Sequence, residues 1–475
     1  MIYKKMREME NIENMPKDNN KRNNILVDDD EPEKNYQENI SQNAINTQDI
    51  ALNVQIKDNK ILQNNYLSQM FHKNLSINII ILLTLIVLIM LEFIFRRSLF
   101  TYSLTYEQNL QNSLPKNGIE FYKLVTILGG GVLFGFGLFF VLCYYSLIKT
   151  VLLCIGLIFV VYLHDLMKLM YGDPRPFWVN TVLFKGNCET SYGNPSGHSL
   201  TAFYFFLSFS YYICMLDKIK NNYTYKIIVY FIGILISGLT AFSRLALGVH
   251  SLDQVLYGSA IGIWVFFIFA YVFKIYDMPL TYYLRFFKDK KYFNFFLLFL
   301  LILFILPIIA YLLVDVDTDF KKYEMVMNKR CRDTEKYKFY SHSCMAESLI
   351  LLLIFGIYLG QYFFWYMIYR KETNTKDSNL FALEESVNHW NNYYKEIFSS
   401  IGNFIKVIGL VILALLPGVL YFVVPGENNS LKNIFLFKIG LPLLLIGFLA
   451  FGPCFFGLIH ILKEKKDSFV KYPEA

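Results

Sequence analysis

From about residue 70 onward the chain alternates between long apolar stretches and shorter polar ones. Many of the apolar stretches reach 18 residues or more, enough for a helix to cross the ~30 Å hydrocarbon core of a bilayer. Read in order, they predict ten spans, at 76–95, 124–147, 149–168, 199–216, 226–243, 252–274, 292–314, 346–368, 404–424 and 435–461. A basic stretch, YYLRFFKDKKYF, follows the sixth span. The expected fold is therefore an all-α polytopic membrane protein. A six-helix unit over 75–275 is followed by a region of about four further spans over 276–475. No internal repeat is visible.

Residues 1–70 differ sharply from the rest, being rich in Asn, Asp, Glu and Lys and poor in aromatics. They cannot bury enough apolar surface to offset chain entropy, so they are expected to form a disordered arm. No short apolar core stands near the start, so no secretory signal peptide is expected. Overall the chain of 475 residues is 55% hydrophobic and 17% charged, below the ~25% charged residues of soluble domains. Its net charge of +7 does not point to nucleic acid, because the basic residues are scattered at membrane ends. Membrane lipids are the expected surroundings, and composition leaves the oligomeric state undetermined. Cys143, Cys154, Cys214 and Cys454 fall in apolar runs as small hydrophobes, whereas Cys188, Cys331 and Cys344 fall in loops. Ten spans put both termini on one side. The Lys/Arg content of 217–226, 274–291 and 370–376 favours the cytosol for that side. The opposite loops would then be lumenal or extracellular, where Cys331 and Cys344 could pair. An endoplasmic-reticulum or other endomembrane location is expected, the plasma membrane being the alternative.

Chemistry gathers at three places on that opposite side. KLMYGDPRPFW ends the third span and carries Lys168, Arg175 and Pro176. GNPSGHSL opens the fourth and carries Ser196, Gly197 and His198. SRLALGVHSLDQV joins the fifth and sixth and carries Ser243, Arg244, His250, Asp253 and Gln254. Lys168, Arg175 and Arg244 can offset a phosphate dianion and the charge of a five-coordinate transition state. The amides of Gly197 and His198 can point at phosphate oxygens from a helix start. Of two histidines, one can attack phosphorus while the other protonates the departing oxygen. No acidic cluster suited to Mg²⁺ accompanies them, so neither metal nor cofactor is expected. Taken singly, Pro195–His198 reads more readily as a helix cap.

Lys168-x6-Arg175-Pro176, Pro195-Ser196-Gly197-His198 and Ser243-Arg244-x5-His250 together resemble the signature motifs of the type-2 phosphatidic acid phosphatase/haloperoxidase superfamily. The resemblance covers about 75–275 and implies a six-helix core and metal-independent dephosphorylation. It implies that Lys168, Arg175, Ser196, Gly197 and Arg244 hold phosphate, His250 is the nucleophile and His198 the general acid. One position departs from the pattern. Where the family carries Asp four residues after the last His, this chain has Gln254, with Asp253 one residue earlier. Glucose-6-phosphatases are similar at this point and in the segment CETSYGNPSGH. Gln254 also completes a capping box with Ser251.

Among the remaining polar residues, His164 and Asp165 stand one turn before Lys168, where an ion pair supporting that lysine is expected. His342, His389 and His460 lack partners at useful spacing, and the sequon at Asn428 lies close to the membrane. The Gly-rich tract at 129–137 is apolar and suits close helix packing rather than phosphate binding. The leading expectation is a phosphatase for lipid phosphates such as phosphatidate, lysophosphatidate or sphingoid-base phosphate. A sugar-phosphate substrate is the alternative within the same fold, and a transporter or scaffold with a relic site is the alternative outside it.

Overall fold

The computed structural model describes residues 75–115, 117–144, 147–180, 182–183, 189, 191–278, 290–313, 344–345, 347–372, 402, 405, 409, 412, 416–419 and 439–451. The N-terminal arm, Cys188, Cys331, His342, His389, the Asn428 sequon, Cys454, His460 and most of the ninth expected span lie outside these residues. Among the described residues every regular element is helical.

Six segments are long and apolar enough to cross a membrane: Asn78–Ser113, Gly118–Leu138, Lys149–Val179, Tyr223–Ala246, Leu252–Val272 and Lys290–Leu313. The helix α1 (Leu75–Ser113) runs well past the expected end at residue 95. Nothing in RRSLFTYSLTYEQNLQNS breaks a helix, and the first proline comes only at Pro115. The second expected span is interrupted: α2 (Gly118–Thr126) passes through a 3₁₀ turn (Ile127–Gly129) into α3 (Gly131–Tyr144). The break falls at a close helix approach, since a Cβ on Gly129 would lie 2.5 Å from Thr240 Cγ2. Gly137 faces the Phe205 ring equally closely, so the glycine tract serves packing.

The site is built on α4 (Leu147–Tyr171), α6 (Gly197–Cys214), α7 (Tyr223–Ala246) and α8 (Leu252–Phe267). The 18 residues of α6 reach ~27 Å, barely one membrane thickness. Twelve of its 18 residues are buried and none is exposed, because α6 packs among α4, α7 and α8. Gly258 and Gly262, one turn apart on α8, let the backbones of α8 and α6 touch. A Cβ on Gly258 would meet the Ser196 carbonyl at 2.6 Å. By contrast α1 turns Leu82, Ile86, Phe93 and Ile94 outward, an apolar face suited to lipid and costly in water.

Beyond the core, α9 (Lys290–Leu313) and α10 (Leu351–Glu372) pack on α4 through a shared apolar cluster that includes Tyr162, Leu300, Leu351 and Ile354. The described part of the last expected span, α11 (Leu441–Phe451), packs on α10 with Gly447 close to Gly356.

Candidate active site

Two helix ends deliver the cations by the same device. Lys168 lies in the last turn of α4 and Arg244 in the last turn of α7. Four residues after each comes a glycine of positive φ, Gly172 at 59° and Gly248 at 66°. That left-handed conformation stops a helix and costs glycine little. The chain reverses at each, returning Arg175 and His250 to the same end of the bundle. There Arg175 becomes fully enclosed, with Pro176 opening the short helix α5 (Pro176–Val179).

The returning residues form one network. Ser191 Oγ accepts from Lys168 Nζ and from Arg175 Nη2, each at 3.1 Å. Arg175 Nε donates to the Ser191 carbonyl at 2.7 Å and Nη1 to the Val249 carbonyl at 3.2 Å. The same Nη1 stands 3.1 Å from His250 Nε2. On the other side of the ring, Nδ1 lies 2.8 Å from the Gly193 carbonyl and 3.2 Å from Gln254 Oε1. Because a carbonyl can only accept, Nδ1 carries the proton and the neutral ring keeps its lone pair on Nε2. The orientation of Gln254 follows the same logic. Its Nε2 donates to the Pro174 carbonyl at 2.9 Å, which leaves Oε1 to face His250 and the Ser251 amide at 3.4 Å. The Gln254 half of a capping box is formed as well, its Oε1 accepting from the Ser251 amide, so one amide both starts α8 and orients the imidazole. No hydrogen bond links Asp253 to His250 among the described residues.

Ser196 is the N-cap of α6, though its side chain makes no capping bond. Its amide donates to the Gln254 carbonyl at 2.9 Å, and its hydroxyl accepts from Ser199 Oγ at 3.0 Å. The first backbone bond of α6 runs from Leu200 to Ser196 at 3.1 Å, and the amides of Gly197 and His198 have no partner among the described residues. Gly197 has to be glycine, since a Cβ would lie 2.6 Å from the His164 ring. The half-buried His198 side chain has no hydrogen-bond partner among the described residues.

Arg244 is held by Thr126 Oγ1 at 2.9 Å and by Glu189 Oε1 at 3.1 Å, while its buried Nε has no partner. Lys168 is approached by Asp165 at 3.4 Å and by Glu347 at 3.7 Å, the latter from the segment preceding α10. His164, Asp165 and Glu347 hold three potential metal-ligand atoms within 4.8 Å of one another. The Lys168 ammonium already lies against both of those carboxylates, which disfavours a second cation there.

The structure thus gathers Lys168, Arg175, His250 and Gln254 in one bonded network, with Ser196, Gly197, His198 and Arg244 at its border. Ser191, Glu189 and Glu347 escaped the motif reading. Ser191 and Glu189 lie in CETSYGN, a segment noticed only for its family likeness, whereas Glu347 carried no signal.

Burial, then the nearby Arg175, Arg244, Lys168 and His198 charges, hold the His250 imidazole well below its usual range. Burial acts to raise the Glu189 carboxyl, but Arg175 and Arg244 outweigh it and bring it down to about 2. Both shifts have the same consequence for stability. A histidine whose folded pKa lies below the unfolded value of 6.5 stabilises the fold above that value and loses the contribution as pH falls below it. Glu189 stabilises above 4.5 and loses its share on the way down to about 2. The apparent Tm in detergent should therefore fall from about pH 7 to about pH 5. His250→Gln should flatten that decline and Glu189→Gln should not; the reverse pattern would contradict the placement of His250.

A buried Lys, two buried Arg, the buried His250 and the half-buried His198 converge at one end of these helices, an arrangement chemically able to hold an anion. Residues 149–277, which carry all three motifs, match the PAP2 superfamily, and this segment is a PAP2-superfamily domain. A solved structure, the first transmembrane PAP2 type phosphatidylglycerolphosphate phosphatase from Bacillus subtilis, is similar at 22% identity. The match covers 40% of this chain and 92% of that one, with a TM-score of 0.34. Curated proteins offer no match to the chain.

Proposed function

We propose that the protein is a membrane phosphatase that hydrolyses phosphate monoesters through a phosphohistidine, without a metal, with lipid phosphates as substrates. The observation that carries this reading is the His250 ring, with Nδ1 bonded to Gly193 and Gln254 and Nε2 turned to Arg175. That is the tautomer of a nucleophile. An arriving phosphate takes over the Arg175 guanidinium, which frees the Nε2 lone pair. A bond forms between Nε2 and phosphorus as the ester P–O bond breaks, and His198 gives its proton to the leaving oxygen. A water then attacks phosphorus while His198 takes its proton, and the N–P bond breaks to release phosphate. Lys168, Arg175, Arg244 and the open amides of α6 hold the equatorial oxygens throughout. The position of the site at helix ends beside a lipid-facing α1 favours substrates drawn from the bilayer, and the loop charges favour a lumenal site.

Phosphate release from a panel of lipid and sugar monophosphates by purified protein in micelles, with EDTA present, tests the reading. Turnover of lipid phosphates that survives EDTA is expected. Sugar phosphates alone would move the substrate class, loss with EDTA would return a metal to the mechanism, and no turnover would favour a transporter or scaffold.

The bonds to His250 also rank its neighbours. Gln254→Ala should lower kcat more than Asp253→Asn does. The loss should stay below the ~10⁴-fold of a neutralised triad aspartate, because the Gly193 carbonyl still orients the ring. Measuring kcat for both variants at matched thermal stability decides it. A larger loss for Asp253→Asn would transfer the role.

A further inference from the structure

Asp253 is a buried acid that the chemistry above does not use. It is 2% exposed, and its Oδ1 has no partner. The Asp253 and Gln254 amides already donate to this carboxyl, so Oδ1 is the part of it left to take a further donor. Asp253 lines a cavity of about 310 Å³ whose other polar walls are Arg96, Arg97 and Thr101 of α1 and Asp173 of the loop after α4. Arg96 pairs with Asp173 at 3.4 Å, whereas the exposed Arg97 guanidinium makes no hydrogen bond among the described residues.

The cavity lies at a definite depth. The outward face of α1 is apolar through Phe93, Ile94 and Phe95, and Arg96 and Arg97 follow at once. A lipid-facing helix that turns basic after about 20 apolar residues has reached the headgroups. Four charges line the cavity, two of each sign, so it suits neither a bare anion nor a bare cation. Behind Asp253 lie two more buried carboxyl groups. Glu107 is fully buried with Oε2 unpaired, and Glu92 is buried against Asn194. Both carboxyls lie within electrostatic reach of Asp253.

We infer that this cavity binds the zwitterionic headgroup of a phospholipid bearing a primary ammonium. Arg97 and the open side of Arg96 take the phosphodiester, and the ammonium donates to Asp253 Oδ1 and Asp173. A trimethylated ammonium has no N–H to give that oxygen and binds less well. The site is separate from the phosphate network yet joined to it through two carbonyls of one loop. The Asp173 carbonyl accepts the Gly193 amide at 2.8 Å, and the Pro174 carbonyl accepts Gln254 Nε2 at 2.9 Å. A headgroup seated there braces the residues that orient His250. Binding itself does not depend on the phosphatase reading.

The test uses the full-length protein in nanodiscs of mixed phosphatidylethanolamine, phosphatidylcholine and phosphatidylglycerol. Retained lipids are counted by native mass spectrometry after transfer to detergent. Phosphatidylethanolamine should be retained selectively. Arg97→Ala, on an exposed side chain that folding does not need, should reduce retention by about tenfold or more, as expected for a lost charge-assisted bond. Asp253→Asn should abolish the preference over phosphatidylcholine, and His250→Ala should retain the lipid, separating this site from the catalytic one. Soluble phosphoethanolamine at millimolar concentration distinguishes sources. Displacement of the lipid by it would show that a free phosphoamine is bound, and failure to displace supports the bilayer lipid. Equal retention of phosphatidylcholine, or retention unchanged in both Arg97→Ala and Arg97→Glu, overturns the proposal.

Discussion

Replacing His250 with Ala is expected to reduce phosphate release to the uncatalysed background, a loss on the order of 10⁴–10⁶ in kcat, as when a covalent nucleophile is removed. The loss comes from the atom that forms the bond to phosphorus, so no positioning by Lys168, Arg175 or Arg244 replaces it. Rapid quenching with a ³²P-labelled substrate should trap an acid-labile, base-stable phosphoenzyme in the unmodified protein and none in the variant. Folding is separable from chemistry here. The variant leaves Arg175 bonded to Ser191 and Val249, so the network keeps most of its contacts, and the Tm should confirm it. A folded His250→Ala protein that still forms a phosphoenzyme would assign the attack to another residue. His198 would be the first to examine.

His198→Ala is expected to cost about 10²–10⁴ in kcat on alkyl phosphates, the range of a lost general acid. The side chain is half-buried at the start of α6 and bonds to nothing among the described residues, as suits a group that must meet a leaving oxygen. Aryl phosphates, whose leaving groups need little protonation, should lose much less. A burst of aryl alcohol followed by slow turnover would also be expected, because His198 is still needed to activate water in the second step. Equal losses on both ester types, without a burst, would remove His198 from the acid role and leave it a structural neighbour of Gly129.

Glu347, by contrast, connects a region outside the PAP2 segment to the lysine within it. Its carboxylate reaches Lys168 from the segment before α10, where Cys344 and Met345 pack against Trp178 and Val249. The residues just before α10 therefore form part of the wall around the Lys168–Arg175–His250 network.

Much of this protein is legible in one dimension. Apolar run length determines helices in a membrane, because an unpaired backbone amide in hydrocarbon is costly enough to exclude other local structure. Motif chemistry is legible for the same kind of reason: Lys168, Arg175, Arg244, His198 and His250 are costly inside a bundle unless their charge is used. The cap at Ser251 and Gln254 was readable because it is local, three residues apart along a helix start.

What the sequence could not decide is whatever depends on residues far apart meeting. Whether Gln254 or Asp253 orients His250 turns on the Pro174 carbonyl, 80 residues away, which takes the Gln254 amide nitrogen and so aims its oxygen at the ring. Ser191 binds Lys168 and Arg175 together only because Gly172, after α4, reverses the chain and returns Arg175 beside Lys168. The cavity beneath Arg96 and Arg97 exists only in the packed bundle. Sequence alone determined which groups must lie at the end of the helices, since solvation energy follows residue type and run length. Tertiary structure alone decided which donor faces which acceptor, since a hydrogen bond depends on tenths of an ångström between segments whose spacing no local pattern records.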